Sequence, residues 1–281
     1  MNPDTADRVS LRDKVAYAMP AFFLAVVGIP VYVYIPKFYT DVVGVDIAML
    51  GYLLFSVRIF DAVTDPAIGY FSDRTLTRYG RRRPYSASGS VLVAASMYAL
   101  FSPPQSSTIT VTIWFAVSIY ALFLSWTAVT VPYESLGPER TFDYNERTGL
   151  FGIRDGFLIA GTLAAASSPA VVHWLLGLGG DPDGERTKFF WLAIIYAPLV
   201  VGSCWWCAYV IKERGLQERP HGSTFRQTLV EIRRNRPFMI LLAAYTVSAI
   251  GNNLPATLIL FYVEYVLQSP LADAFLLLYF V

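Results

Sequence analysis

Residues 84 to 133 contain no Asp, Glu, Lys or Arg, and only "SPPQSS" at 102 to 107 breaks their apolar character. A stretch this long without charge excludes the polar outer face of a soluble domain. It fits two lipid-crossing helices joined by a tight turn. Charge is scarce throughout, at 15% of the 281 residues, against about 25% in soluble domains. Cysteine and histidine number two each. His173 and His221 have no partners at metal or triad spacing. Cys204 and Cys207 form C-x-x-C, but inside the apolar run "SCWWCAYV" with no second ligand pair, so they read as small packing residues. No G-x-S-x-G, H-E-x-x-H or phosphate loop occurs, so nothing marks an enzyme or a resident cofactor.

What is present is apolar: 55% of the chain is hydrophobic and 15% aromatic. Uncharged runs cover 15 to 36, 156 to 180, 189 to 211 and 237 to 263, each long enough for a hydrocarbon core that takes about 20 helical residues. The charged segment 47 to 71 completes seven spans, and "ADAFLLLYFV" reads as the opening of an eighth. The first run is too long for a cleavable signal and lacks a small-residue cleavage site, so it is a first span. The expected fold is an all-α membrane protein: a six-span half over 1–211, a linker over 212–237, and the start of a second half over 238–281. The uncapped apolar end leads to the expectation that the chain is part of a longer one.

The basic residues give an orientation. With the N-terminus inside, inner segments hold seventeen Lys and Arg and outer loops only Lys37, Arg186 and Lys188, the asymmetry of a cytoplasmic N-terminus in an inner membrane. The run "RTLTRYGRRR" is then a cytoplasmic loop. A nucleic-acid reading of it is disfavoured, because such patches sit on soluble basic domains and the net charge is +1.

The segment "KERGLQERPHGSTFRQTLVEIRRNRP" (212 to 237) reads as a linker with a short amphipathic helix around "FRQTLVEIRR" at the membrane surface. After it a pattern recurs: "FYTDVV" at 38 to 43 closes span one and "FYVEYV" at 261 to 266 closes span seven. Both match F-Y-x-acid-x-V, as expected for a transporter built from repeated halves.

Span two carries the chemistry. Arg58, Asp61, Thr64 and Asp65 are three or four apart and share one helix face. Each ion costs roughly 2.5 to 3.5 kcal/mol at the bilayer centre, so this stripe faces a bundle interior or a wet cavity. Two carboxylates on adjacent turns repel unless a proton or cation lies between them. Asp61 and Asp65, with the Thr64 hydroxyl, supply oxygens for a hard cation such as sodium. The competing reading is an Arg58–Asp61 brace, which leaves Asp65 unexplained. In span four, Thr127, Thr130 and Glu134 continue one face and offer a second wall, although such hydroxyls also bond back to their own helix. Arg154 and Asp155 enter span five.

The stretches "YTDVVG", "RIFDAVTDPAIGYFSDRTLTRYGRRRPY" and "VPYESLGPERTFDYNERTGLFGIRDGF" resemble the glycoside/pentoside/hexuronide cation symporter family of the major facilitator superfamily, over essentially the whole chain. The resemblance implies twelve spans and sodium- or proton-coupled uptake by alternating access, in a monomer. It implies cation ligands at Asp61, Asp65, Thr64 and Thr127, with Thr64 standing where the family's best-known member has Asn. It implies a solute site with Arg154, Thr130, Glu134, Tyr32 and Arg58, and a conformational loop of Gly69, Asp73, Arg74, Gly80, Arg81 and Arg82. Two sugar-binding acids of the family fall on Ala25 and Thr130, and its stacking tryptophan falls on Glu134. The site thereby gains positive balance around Arg154, which points to an anionic solute such as a hexuronide, with Glu134 able to offset it. The rival readings are an amphiphile transporter and a non-transporting membrane scaffold or sensor.

Overall fold

The computed structural model describes residues 9–75, 77–211, 213 and 233–268. Seven long helical elements follow one another: α1 (Leu11–Val43), α2 (Ile47–Arg74), α3 (Arg83–Phe101), α4 (Thr108–Arg140), α5 (Tyr144–Leu176), α6 (Pro182–Val210) and α7 (Arg236–Phe261). They match the seven expected spans, and five are long and apolar enough by themselves to cross a membrane. The surface helix and eighth span expected from the sequence lie outside the described residues, apart from the helical pair Arg233 and Arg234.

Helix starts follow side-chain chemistry. Ser10, Asp46, Ser107, Asp143 and Asn235 each accept a hydrogen bond from a backbone N–H of their own first turn, satisfying donors that a helix leaves free. The helices outrun the uncharged cores because the charges at their ends are paired. Lys14 of α1 meets Glu146 of α5 at 2.8 Å, Asp13 meets Arg140 at 2.6 Å, and Lys37 meets Asp41 at 3.1 Å.

Within α1 the backbone widens into π turns at Pro30–Tyr34 and Phe38–Val43, and a third π turn, Tyr262–Val266, continues α7. The two F-Y-x-acid-x-V copies therefore share a local conformation as well as a pattern. The copies also meet: the Tyr265 hydroxyl donates to Asp41 Oδ2 at 3.2 Å.

α1 packs on α5 and α6, α3 packs on α4 and α6, and α2 leans on α4. Glycine sets two of these approaches. A Cβ at Gly161 would run into the carbonyl of Phe22, and one at Gly89 would lie 2.9 Å from a Val129 methyl. Small residues at helix contacts are how membrane bundles close, since lipid offers no hydrophobic drive between helices. Buried tyrosines end on backbone carbonyls: Tyr39 on Leu100 at 2.8 Å, Tyr34 on Ala166 at 3.0 Å and Tyr133 on Tyr17 at 2.6 Å. Outside, Ile109, Ile113 and Val117 run exposed along α4, a face suited to lipid.

Candidate functional site

A cavity of about 410 Å³ opens between α1, α4 and α5, within the size range of small-molecule sites. Its wall contains Tyr32, Thr130, Glu134 and Arg154, four of the five expected solute residues, drawn from three helices. Ala25, where the family's span-one acid falls, also lines it, as do Trp126 and Tyr133. The Arg154 guanidinium pairs with Asp155, through Nε at 2.9 Å and Nη2 at 2.7 Å to one carboxylate oxygen. It also lies 4.8 Å from the centre of the Phe151 ring. The possible Glu134 counter-charge is thus not what binds Arg154; Asp155 is.

The fifth residue, Arg58, is differently placed. Its guanidinium lies over the rings of Tyr32 and Phe123, at 4.7 and 4.9 Å, and is 3.6 Å from Asp61 Oδ2. The brace considered as a rival reading therefore exists. It does not exhaust Asp61, whose Oδ1 is buried without a hydrogen-bond partner among the described residues. Tyr32 lines the cavity on one side and stacks on Arg58 on the other, so it joins the solute wall to the acidic stripe.

The four expected cation ligands are brought together in part. Thr127 Oγ1 donates to Asp65 Oδ1 at 2.7 Å, which joins α4 to α2. The Thr64 hydroxyl bonds back to the Phe60 carbonyl at 3.1 Å, and the Thr130 hydroxyl to that of Trp126 at 3.0 Å. Both spend their proton on their own helix and keep lone pairs free. Two carboxylates, one with an orphaned buried oxygen, and a hydroxyl beside them form an oxygen-only donor set that fits a hard monovalent cation. The wall expected along α4 is split: Thr127 turns to Asp65, while Thr130 and Glu134 turn to the cavity.

The basic loop is ordered by a charge network. Arg82 donates to Asp73 through Nε and Nη2 at 2.9 and 2.7 Å, and to the Ser135 carbonyl at 2.8 Å. Both Arg81 and Arg82 also reach Glu139, at 2.7 and 2.8 Å. Gly80 has φ +110°, a conformation that side chains resist. Arg74 stacks over Tyr70 at 3.8 Å, and Gly69 sits beside Val131 of α4. All six expected loop residues thus lie where α2, α3 and α4 meet.

Sequence reasoning missed Trp126 and Tyr133 in the cavity wall, Glu139 in the loop network, and Glu213, whose carboxylate accepts the backbone N–H groups of Arg81, Arg82 and Arg83 at 2.9, 2.9 and 3.0 Å. The signal for Glu139 was present in "LGPER", a charge directly after an apolar span. That for Trp126 was masked by its apolar neighbours.

This combination of a largely apolar cavity with a few polar groups in its wall, an intramembrane acid stripe and a charged loop agrees with what known proteins show. The family model for MFS/sugar transport proteins matches residues 16–281. The chain belongs to that family. Its members are transporters rather than enzymes, and the chain groups with the glycoside/pentoside/hexuronide symporters. Among relatives, an uncharacterized symporter of Synechocystis sp. is 33% identical over 75% of this chain and 39% of its own length. A putative glycoside/cation symporter of Escherichia coli is 29% identical over 96% and 58%. A putative sulfoquinovose importer of Salmonella typhimurium is 26% identical over 93% and 55%. The chain spans about half the length of the curated relatives it matches.

Proposed function

We propose that the protein carries a small anionic glycoside, such as a hexuronide or a sulfo-sugar, together with a cation across the cytoplasmic membrane, with its N-terminus inside. The observation that carries this is the convergence of Tyr32, Thr130, Glu134 and Arg154 on one cavity, joined through Tyr32 to the Arg58–Asp61 pair. Ala25 and Thr130 leave that wall without two acids of the family, while Arg154 brings to it a guanidinium that now engages Asp155 and, exchanging that partner for the solute, grips carboxylate or sulfonate better than hydroxyl. A relative named as a sulfoquinovose importer supports an anionic sugar, and one named for glycosides supports the wider class.

Asp65, Thr127 and the free oxygen of Asp61 are the cation's ligands in this reading, with Thr64 secondary. Sodium is favoured over a proton, because a proton needs a single acid and this site offers several oxygens. Trp126 and Tyr133 supply the flat apolar face that a sugar ring needs, in place of the tryptophan that became Glu134. The apolar wall of Ala21, Leu24, Ala25, Ile29 and Leu158 favours one second reading, an amphiphile.

The test is uptake by the protein in vesicles under an imposed sodium or proton gradient, comparing glucuronides and sulfo-sugars with their neutral parents and with an alkyl glycoside. Anion preference with sodium-driven accumulation supports the reading. Preference for neutral sugars, or for the alkyl compound, overturns it.

A further inference from the structure

Tyr17 of α1 is 1% exposed, and its hydroxyl has no hydrogen-bond partner among the described residues. Tyr34, Tyr39 and Tyr133 behave otherwise, each ending on a backbone carbonyl. A buried hydroxyl left unpaired is destabilising, since it has given up its water for nothing. Its place is nevertheless closely defined. The ring lies 5.0 Å from that of Tyr133, which lines the cavity, and meets the Phe151 ring edge-on at 6.2 Å. The hydroxyl fills the space left by the missing side chain of Gly137, where a Cβ would run into it.

The charged group that acts on this hydroxyl most is Arg154, ahead of Glu134. The Arg154 guanidinium rides on the same Phe151 ring, 4.8 Å from its centre, yet no hydrogen bond of good geometry joins it to the Tyr17 oxygen. Two of its five N–H groups go instead to a single Asp155 oxygen. Asp155 is half-exposed and stands outside the cavity wall that Arg154 lines. An anionic solute in the cavity must draw the guanidinium off Asp155, and a fork so released needs an acceptor to hold its direction.

We propose that the Tyr17 hydroxyl is a second seat for the Arg154 guanidinium, accepting one of its N–H groups when an anionic solute replaces Asp155. A neutral acceptor is what this role requires. A second carboxylate in that place would compete with the solute for the positive charge. A phenol oxygen fixes the direction of the fork and leaves its charge to the solute. The unpaired state of the hydroxyl in this structure follows, because Asp155 holds the fork here. Tyr17 is therefore a positioning residue, acting through Arg154 and selecting anionic over neutral sugars without lining the cavity itself.

The inference rests on the anionic reading of the cavity, so one arm of its test uses no solute. Melting temperatures in detergent are compared for wild type, Tyr17→Phe, Asp155→Ala and the double variant. With Asp155 in place, Tyr17→Phe should melt as wild type does, because the hydroxyl it removes is unpaired. With Asp155→Ala, Arg154 turns to Tyr17, and adding Tyr17→Phe should lower the midpoint by about 2–4 °C. An equal fall in both backgrounds, or a fall in neither, overturns the seat. The second arm is calorimetric titration with methyl β-glucuronide and methyl β-glucoside. Tyr17→Phe should weaken binding of the glucuronide about tenfold, the worth of one hydrogen bond to a charged group, and leave the glucoside unchanged. Equal weakening of both sugars, or of neither, overturns its part in solute selection. A wild type that prefers the glucoside overturns the anionic reading instead, while the melting comparison still decides the seat by itself.

Discussion

Thr127 on α4 donates its hydroxyl to Oδ1 of Asp65 on α2 at 2.7 Å, across 62 positions of sequence. A hydroxyl on a carboxylate inside a bundle either fixes that carboxylate for a ligand or neutralises its cost, and the orphaned Asp61 oxygen nearby favours the former. Under the proposed function, Asp65→Asn should abolish ion-driven accumulation while solute exchange persists. Thr127→Val should raise the cation concentration for half-activation about tenfold, the worth of one hydrogen bond to a charged group. Unchanged ion activation in both variants would remove the pair from the cation site.

Tyr32 should matter through its ring rather than its hydroxyl. The contact from Arg58 to the hydroxyl is 3.5 Å, at the edge of hydrogen bonding, whereas the guanidinium sits 4.7 Å over the ring, a contact of about 0.5–2 kcal/mol. Tyr32→Phe is expected to retain cation-stimulated solute binding. Tyr32→Leu is expected to weaken solute binding and its cation stimulation together, as read by calorimetric titration with and without the ion. Loss of solute affinity alone would show that Tyr32 does not join the two sites.

Arg154→Lys preserves charge but loses the planar fork that now engages Asp155. Competition uptake assays should show about a tenfold loss of affinity for anionic glycosides, one bidentate contact's worth, with little change for neutral ones. Equal effects on both would make Arg154 a structural residue.

Gly161 sets the α1–α5 contact. Its Cβ would press on the Phe22 backbone carbonyl, which cannot swing aside, whereas Gly156 on the same helix has open space. Gly161→Ala should destabilise by about 1–3 kcal/mol, the cost of overpacking. Gly156→Ala should not. Thermal unfolding in detergent reads the difference, and equal melting temperatures would contradict the packing.

The sequence by itself determined the helices, their order and the shared face of the acidic stripe. Uncharged runs mark the spans, and Ser10, Asp46, Ser107 and Asp143 mark where four of them begin, because capping is local chemistry. The spacing of Arg58, Asp61, Thr64 and Asp65 put them on one face for the same reason. Tertiary structure decided the partners: Thr127 for Asp65, Asp155 rather than Glu134 for Arg154, Trp126 for the cavity, and Glu213 for the start of α3. In a soluble helix the apolar stripe shows which face turns inward. Here lipid and protein interior are equally apolar, so hydropathy carries no such direction along α4. Which face meets which neighbour is settled by close approach at Gly89 and Gly161 and by a few polar pairs, and those exist only once the helices have packed.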